Sequence, residues 1–471
     1  MVKKQSRQHL RRKLLVTSMI SLFSACALVQ MPGQLLQAQT YLLQPGDEPL
    51  RQQVDVSVDV QGVVKIKSAR FGVVDQRVKV HGKQNYEQRL FFQRATQLCR
   101  AIRYYQNLES NVSIGEGELS HQLRKERRLV VDQYQNQQHR LYSPQGMLTR
   151  DELDLLDVQL SPTVFYKLLP PGPVMQGEQW QLDEADLSAL LTLDAVAQSD
   201  ISVTLQSVKA NEAQIVCKGS VGGGVNGVLT QIDLELSAQY NLITHSFTLV
   251  SLEMSERREI GYAKPGLDVE ARIVVALQPK DSFKTLTDSI IEKCDRPIIA
   301  SDEMLEFIPQ VNSIQLKLNR DWHVMMDQPE LLVMRQVVRG ELVAQCSLSR
   351  LQPLRDGQRM SVELLKDQIQ KSQGDKLAKI TDSRQERLHG KYPLTHIAAV
   401  GLVGEATYQW SYHHVTDLSG NQYVFVFTIP SDKVTQFQLQ DRNIIESFVF
   451  RAEQAEKQPI PASAATSTTK R

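Results

Sequence analysis

Between residues 201 and 277 the chain alternates apolar and polar side chains with few breaks. Thr230, Ile232, Leu234, Leu236, Ala238 and Tyr240 interleave with Gln231, Asp233, Glu235, Ser237 and Gln239. A period of two sends successive side chains to opposite faces, so one set enters a core and the other meets water. The pattern recurs over 201–208, 213–219, 246–254 and 269–277. One-sided strands in succession read as an antiparallel meander, able to curl into a half-barrel. Such a sheet supplies a buried face but no chemistry.

A chain of 471 residues exceeds what one hydrophobic core sustains. Two domains are expected: an antiparallel β-rich domain over 40–280 and a second over 313–451. A linker carrying a short helix joins them over 281–312. Lys and Arg number 54 against 53 Asp and Glu, a net charge of +1. That balance argues against a generally basic nucleic-acid binder, and nucleic acid is not an expected partner.

The N-terminus departs from this average. Lys3, Lys4, Arg7, Arg11, Arg12 and Lys13 precede an apolar run over 14–29. A basic head, a short apolar middle and a small-residue exit make a secretory signal over 1–38. The run falls short of the ~20 residues a spanning helix needs. Cleavage after Ala38 or Ala27 releases an exported chain, periplasmic or extracellular. A rival route is lipidation: Leu22-Phe-Ser-Ala-Cys26 resembles a lipoprotein box, and only a lipid on Cys26 would tie the chain to a membrane. Cleavage near Ala38 leaves Cys99, Cys217, Cys294 and Cys346, which form no CxxC and read as buried free thiols. Asn111-Val-Ser113 is a formal glycosylation sequon.

Along the first domain, Val54, Val56, Val58 and Val60 open the sheet, and Val64, Ile66, Val78 and Val80 continue it. Residues 86–105 fit a helix through Leu90, Phe91, Ala95, Leu98 and Ile102, yet Arg103-Tyr-Tyr105 fits a strand; strand is the reading taken. A hairpin is expected from 129–131 to 140–142, turning at Asn136-Gln-Gln138. Thr149 caps a helix ending at Leu156, and Asp183 caps another through Leu190 and Leu191. Leu168-Leu-Pro-Pro-Gly-Pro173 forbids regular structure and marks a surface crossing. Trp180 plugs one end of the core.

In the second domain, helical turns are expected over 301–307 and strands over 314–318, 331–338 and 341–346. Ser361 caps a helix placing Leu364, Leu365, Ile369 and Leu377 on one side. Strands return over 395–400, 406–415 and 422–429. Ser431 caps a short helix, a strand over 444–450 closes the sheet, and the tail over 452–471 is disordered.

This order resembles the PsbP-like α/β sandwich. The residues that carry the resemblance are Trp322, Gly340-Glu-Leu-Val-Ala344, the hairpin containing Trp410, and Asp441-Arg-Asn-Ile-Ile-Glu-Ser-Phe-Val-Phe450, spread over 314–450. The expected class is therefore α+β, a β-rich meander domain followed by a PsbP-like sandwich. The resemblance implies a protein that assists or binds other proteins, with no shared catalytic apparatus. Leu168-Leu-Pro170, Gly177-Glu-Gln-Trp180 and Gly261-Tyr-Ala-Lys-Pro-Gly-Leu-Asp268 look like uncharacterised exported proteins of planctomycete-type bacteria, which implies architecture and location only.

Candidate chemistry is thin. Gly222-Gly-Gly224-Val-Asn-Gly227 satisfies GxGxxG, but a strand follows it where a dinucleotide site needs a helix, so it reads as a hairpin turn. His413-His414, with His389 and His396 upstream, is the strongest metal candidate. Adjacent strand residues point to opposite faces, so His413 and His414 do not share an ion, and packing is the reading taken. No GxSxG elbow occurs. Asp151, Glu152, Asp154 and Asp157 read as a solvated helix face that complements the N-terminal dipole. Arg124-Lys-Glu-Arg-Arg128 and Glu256-Arg-Arg258 read as solvated strand edges. Trp322, Trp410 and Tyr408 are core candidates, each indole needing a partner for its N–H.

No catalytic, cofactor-binding or metal-binding residue is assigned from sequence, and no cofactor is expected. The reading is an exported, non-enzymatic protein that binds or scaffolds a protein partner in the cell envelope. The alternatives are a carrier of lipid or another apolar ligand, and a hydrolase using scattered carboxylates.

Overall fold

The computed structural model describes residues 39–68, 72–310, 314–353 and 360–451. The segment 1–38 expected to be a signal, with Cys26 in it, and the tail 452–471 expected to be disordered lie outside the described residues. A two-stranded pair, β1 (Thr40–Tyr41) with β8 (Val174–Met175), sits apart from a thirteen-stranded sheet. That sheet holds β2 (Leu50–Ser68), β3 (Gly72–Gln93), β4 (Leu98–Ile114), β5 (Gly117–Gln122), β6 (Leu129–Gln135) and β7 (Gln138–Tyr142). After helices α1 (Arg150–Leu156) and α2 (Glu184–Leu191), it is completed by β9 (Gln179–Trp180), β10 (Ala195–Ser199), β11 (Ser202–Lys209), β12 (Glu212–Val225), β13 (Val228–Asn241), β14 (Ser246–Arg258) and β15 (Gly266–Pro279).

The meander is present as the alternation demands: β11 to β15 pair in succession, all antiparallel. The sheet runs from β7 at one edge to β9 at the other and does not close. Its centre is the pairing of β2 with β15, which sets Val58 opposite Ile273 and joins segments some two hundred positions apart. The alternate residues Val54, Val56, Cys217, Leu236, Leu252, Ile273 and Val275 are buried. They share a core with Leu153 and Leu156 of α1, Leu187, Leu190 and Leu191 of α2, and Phe165 and Leu168. Residues 86–105 are strand apart from one 3-10 turn at Arg94–Thr96, so the extended reading holds.

Helix α1 begins as its sequence directs. Thr149 Oγ1 accepts from the Glu152 amide at 3.2 Å, and the Glu152 carboxylate accepts from the Thr149 amide at 2.9 Å. This reciprocal cap satisfies amides that a helix start leaves open. Thr149→Ala should lower stability by about 1 kcal/mol, read as a shift in the urea midpoint.

The chain then forms α3 (Asp288–Cys294), β16 (Leu305–Phe307) and β17 (Ile314–Leu318). A seven-stranded antiparallel sheet follows: β18 (Trp322–Asp327), β19 (Leu331–Val338), β20 (Glu341–Leu351), β21 (Leu377–Leu388), β22 (Tyr392–Val403), β23 (Ala406–Thr416) and β24 (Gln422–Pro430). Its order is β18-β19-β20-β24-β23-β22-β21. Helix α4 (Val362–Gln373) precedes β21, while α5 (Val434–Phe437), α6 (Gln440–Ser447) and β25 (Val449–Phe450) end the described chain. β25 pairs with β17 in a small sheet beside the main one.

Several expectations need correction. Residues 444–450 are mostly the helix α6, because Ile444, Ile445 and Phe448 recur at helical spacing and bury one side. Ser431 caps nothing: it lies inside a 3-10 turn preceded by Pro430. Ser361 does cap α4, but Leu364 faces solvent and Leu377 begins β21, leaving Leu365 and Ile369 as the buried stripe. Residues 301–307 hold a 3-10 turn and the strand β16. Leu168 is fully buried at the end of a 3-10 turn (Pro162–Leu168), so the chain dips through the core before it reaches the surface at Pro171.

The Gly222–Gly224 run is strand, not turn. β10 lies against it so closely that a Cβ on Gly223 would overlap the Ala195 carbonyl oxygen. The turn proper is Asn226-Gly227, both at positive φ as a two-residue hairpin requires. Gly227 abuts Gly340, in the turn between β19 and β20, and a Cβ on either would overlap the other's Cα.

Candidate functional site

Three places in the structure concentrate polar or exposed groups beyond what packing requires. The first is a charge network inside the thirteen-stranded sheet. Asp132 on β6 and Arg103 on β4 are buried and meet at 2.7 Å. The Asp132 carboxylate also receives Ser161 Oγ at 2.7 Å, Thr163 Oγ1 at 3.1 Å and His139 Nε2 at 2.8 Å. Arg103 donates onward to Gln88 at 2.9 Å and to Ser161 Oγ at 2.8 Å. Burial alone would raise the Asp132 pKa, but the charges of Arg103 and His139 outweigh it and hold the carboxyl well below its usual range. Burial likewise opposes the charged His139 ring, yet Asp132, with help from Asp157, pushes its pKa up to about 10. His139, Asp157 and Ser161 wall a pocket of about 270 Å³ that Arg320 and Thr192 also line.

The second place is a histidine cluster on β22 and β23. His396 lies directly opposite His413, their ring centroids 4.7 Å apart. Ser411 Oγ is 3.0 Å from each Nε2 and donates to Asp441 Oδ2 at 2.7 Å. His413 Nε2 is itself 3.0 Å from that carboxylate oxygen. All four residues are buried. Ser411 Oγ meets His396 Nε2, and His396 Nδ1 lies 3.6 Å from the Asp382 carboxylate, which is the order of a Ser-His-Asp triad, but Ser411 directs its proton to Asp441 and not to the imidazole. His414 points to the other face and bonds Gln422 at 2.8 Å, while His389 sits in a turn and bonds the Phe448 carbonyl at 3.0 Å. The expected separation of His413 from His414 therefore holds. The pairing of His413 with His396 and the arrival of Asp441 were not anticipated. Register could have revealed the first, since the Gly404-Glu405 turn fixes which residues face each other.

The third place is the free edge of the seven-stranded sheet. Among the described residues β18 pairs with β19 alone, through a bulge at Met325, and Arg150 donates to the Trp322 carbonyl at 3.3 Å. Val324, Met325 and Met326 stand 40%, 40% and 42% exposed. The opposite edge, β21, is different: it presents Lys379, Asp382, Arg384, Glu386 and Arg387 and is broken by two register shifts. Charge and bulges of that kind block pairing with another chain; the apolar run on β18 lacks the charge.

The remaining candidates disperse. Glu152 is held by Arg124 at 2.7 Å, Asp151 lies 3.5 Å from His121, and Asp154 lines a separate cavity beside Val58 and Leu108. Arg124 is no solvated edge residue, since it bridges Glu152 and Glu306. Trp180 donates to the Leu168 carbonyl at 3.2 Å as a buried indole should. Trp322 and Trp410 are buried, but Trp322 Nε1 has no partner among the described residues.

No protein-family model matches this sequence, and no curated protein matches it. Among solved structures, the chain is similar to cyanobacterial PsbP (CyanoP) from Synechocystis sp. PCC 6803, at 13% identity and a TM-score of 0.26 over 33% of this chain and 97% of that one. A Bacteroides thetaiotaomicron structure matches at 11% identity and a TM-score of 0.23, covering 32% of this chain and 49% of that one. Lipovitellin matches at 9% identity and a TM-score of 0.30, covering 52% of this chain and 26% of that one. The PsbP-like resemblance is thus weak, and none of the three carries a functional argument.

Proposed function

We propose that the chain is an exported, non-enzymatic binding protein that takes an extended segment of a protein partner onto the edge strand β18. The observation that carries this reading is the contrast between the two sheet edges. Strand addition draws affinity from main-chain hydrogen bonds and specificity from alternate side chains. Val324, Met325 and Met326 offer an apolar contact row beside such bonds.

The state of the buried network supports a role without catalysis. A general base works best with a pKa near the working pH, and His139 near 10 stays protonated at neutrality. Ser161 gives its proton to a carboxylate, so no neutral imidazole activates it. Export rests on the basic and apolar N-terminal segment.

A photoreactive side chain placed at Met325, and separately at Lys379 on β21, tests the reading in the envelope fraction of the source organism. A discrete adduct from 325 alone, weakened by Met326→Lys, is expected. Equal labelling at both edges, or none at 325, overturns it. A second reading, an apolar-ligand carrier, draws on a cavity of about 50 Å³ lined by Leu90, Phe165, Tyr240, Phe247 and Leu277. That space is small for an acyl chain and would have to widen. Lipid retained in native mass spectrometry would favour the carrier, and a clean apo mass would count against it.

A further inference from the structure

We propose that His396, His413 and Asp441 bind one divalent transition-metal ion of the Zn²⁺ type, a function separate from strand addition at β18. The three ligand atoms lie within 4.8 Å of one another. A tetrahedral Zn²⁺ site, with ligand bonds of about 2.0–2.2 Å, sets its donors roughly 3.3–3.6 Å apart. His413 Nε2 and Asp441 Oδ2 are already 3.0 Å apart, so small side-chain rotations would admit the ion. Ser411 Oγ, or a water in its place, fills the fourth position.

The donor types set the choice of ion. Two imidazoles and one carboxylate favour Zn²⁺, Co²⁺, Ni²⁺ or Cu²⁺ over Mg²⁺ or Ca²⁺, which take oxygen ligands. The elements also hold the donors firmly. β22 and β23 pair along their whole length, and α6 delivers Asp441 from its first turn.

The competing account is a closed hydrogen-bond knot. Both imidazoles would donate from Nε2 to Ser411, which donates to Asp441. That tautomer turns the His396 Nδ1 lone pair toward the Asp382 carboxylate, 3.6 Å away. Neither His396 Nδ1 nor His413 Nδ1 has a hydrogen-bond partner among the described residues. With a metal on Nε2 the proton moves to Nδ1, and His396 then points an N–H at Asp382. A carboxylate behind a ligating histidine orients the ring and raises its basicity. The knot makes the Asp382 contact repulsive, and the metal site makes it attractive.

Co²⁺ titration of the purified chain reads both the binding and the geometry. Intense visible d–d bands that saturate at one equivalent and are bleached by one equivalent of Zn²⁺ are expected. His396→Gln, His413→Gln and Asp441→Asn should each weaken binding by more than about 100-fold, beyond what outer partners cost, and Asp382→Asn by about 10-fold. His414→Gln, one residue away on the other face, should leave binding unchanged. Asp382 is half exposed, so its variant remains informative if a ligand variant fails to fold. Weak six-coordinate bands, affinity insensitive to both His396→Gln and Asp382→Asn, or no uptake of either ion at micromolar concentration would overturn the site.

Discussion

Asp132→Asn should cost about 3–5 kcal/mol of stability, because it strands the Arg103 guanidinium in a core where, among the described residues, no other carboxylate meets it. The amide can still accept from Ser161 or Thr163, but it cannot balance the charge. A double variant, Asp132→Leu with Arg103→Met, should recover much of the loss, since a buried ion pair replaced by apolar residues is often neutral. Urea unfolding of the two variants beside the parent chain measures both.

The same substitution should change the pH profile. His139 carries a folded pKa of about 10 against ~6.5 unfolded, so its contribution is complete below ~6.5 and is lost as pH rises through about 10. Asp132 has a depressed folded pKa, so its contribution is present above ~3.9 and is lost as pH falls through the folded value. The parent chain should therefore weaken on both flanks. Asp132→Asn should largely remove the alkaline decline between ~6.5 and 10, because His139 loses the charge that raised it. A urea midpoint that still falls over that window in the variant would assign the decline to another group.

The second large effect belongs to Gly227→Ala. At φ +68 any side chain there bears the left-handed cost of about 1–2 kcal/mol, and the new methyl must also displace Gly340. Gly404→Ala is the control. Its φ of +64 is nearly the same, but nothing lies within 4 Å of the added carbon. The control should lose about 1–2 kcal/mol, and Gly227→Ala roughly 3 kcal/mol or more. Gly340→Ala should match Gly227→Ala, and the pair together should cost less than the sum, since either change breaks the same contact. Equal losses at 227 and 404 would mean the two turns do not support each other.

Much of the fold was legible because it rests on period two. Residues 201–277, the 129–142 hairpin and the caps at Thr149, Asp183 and Ser361 follow from local pattern and local hydrogen bonding. What failed depends on distant partners. The β-branched and aromatic residues at 444–450 suit a strand by propensity, and only the core beneath α6 selects the helix. Gly222–Gly224 resembled a turn because nothing local announces that β10 will pair beside it. The histidine cluster was half readable: strand register yields His396 opposite His413, but Asp441 arrives on a helix read as strand. Arg103 and Asp132 gave no signal at all, since charged residues on alternating strands read as solvent-facing until the sheet is assembled.

The β2–β15 seam has a consequence for how this molecule comes into being. Its two halves are separated by nearly the whole of the first sheet, so the seam must await most of that length, and such long-range pairing is slow to nucleate. Cys99 and Cys217 become buried only as the sheet assembles around them, and Cys294 and Cys346 are buried in the finished fold as well. In that state their thiols are raised above the ordinary range and out of reach of an oxidant. Oxidative damage is thus a hazard of the nascent chain, and a reductant should improve refolding yield while leaving the assembled protein untouched.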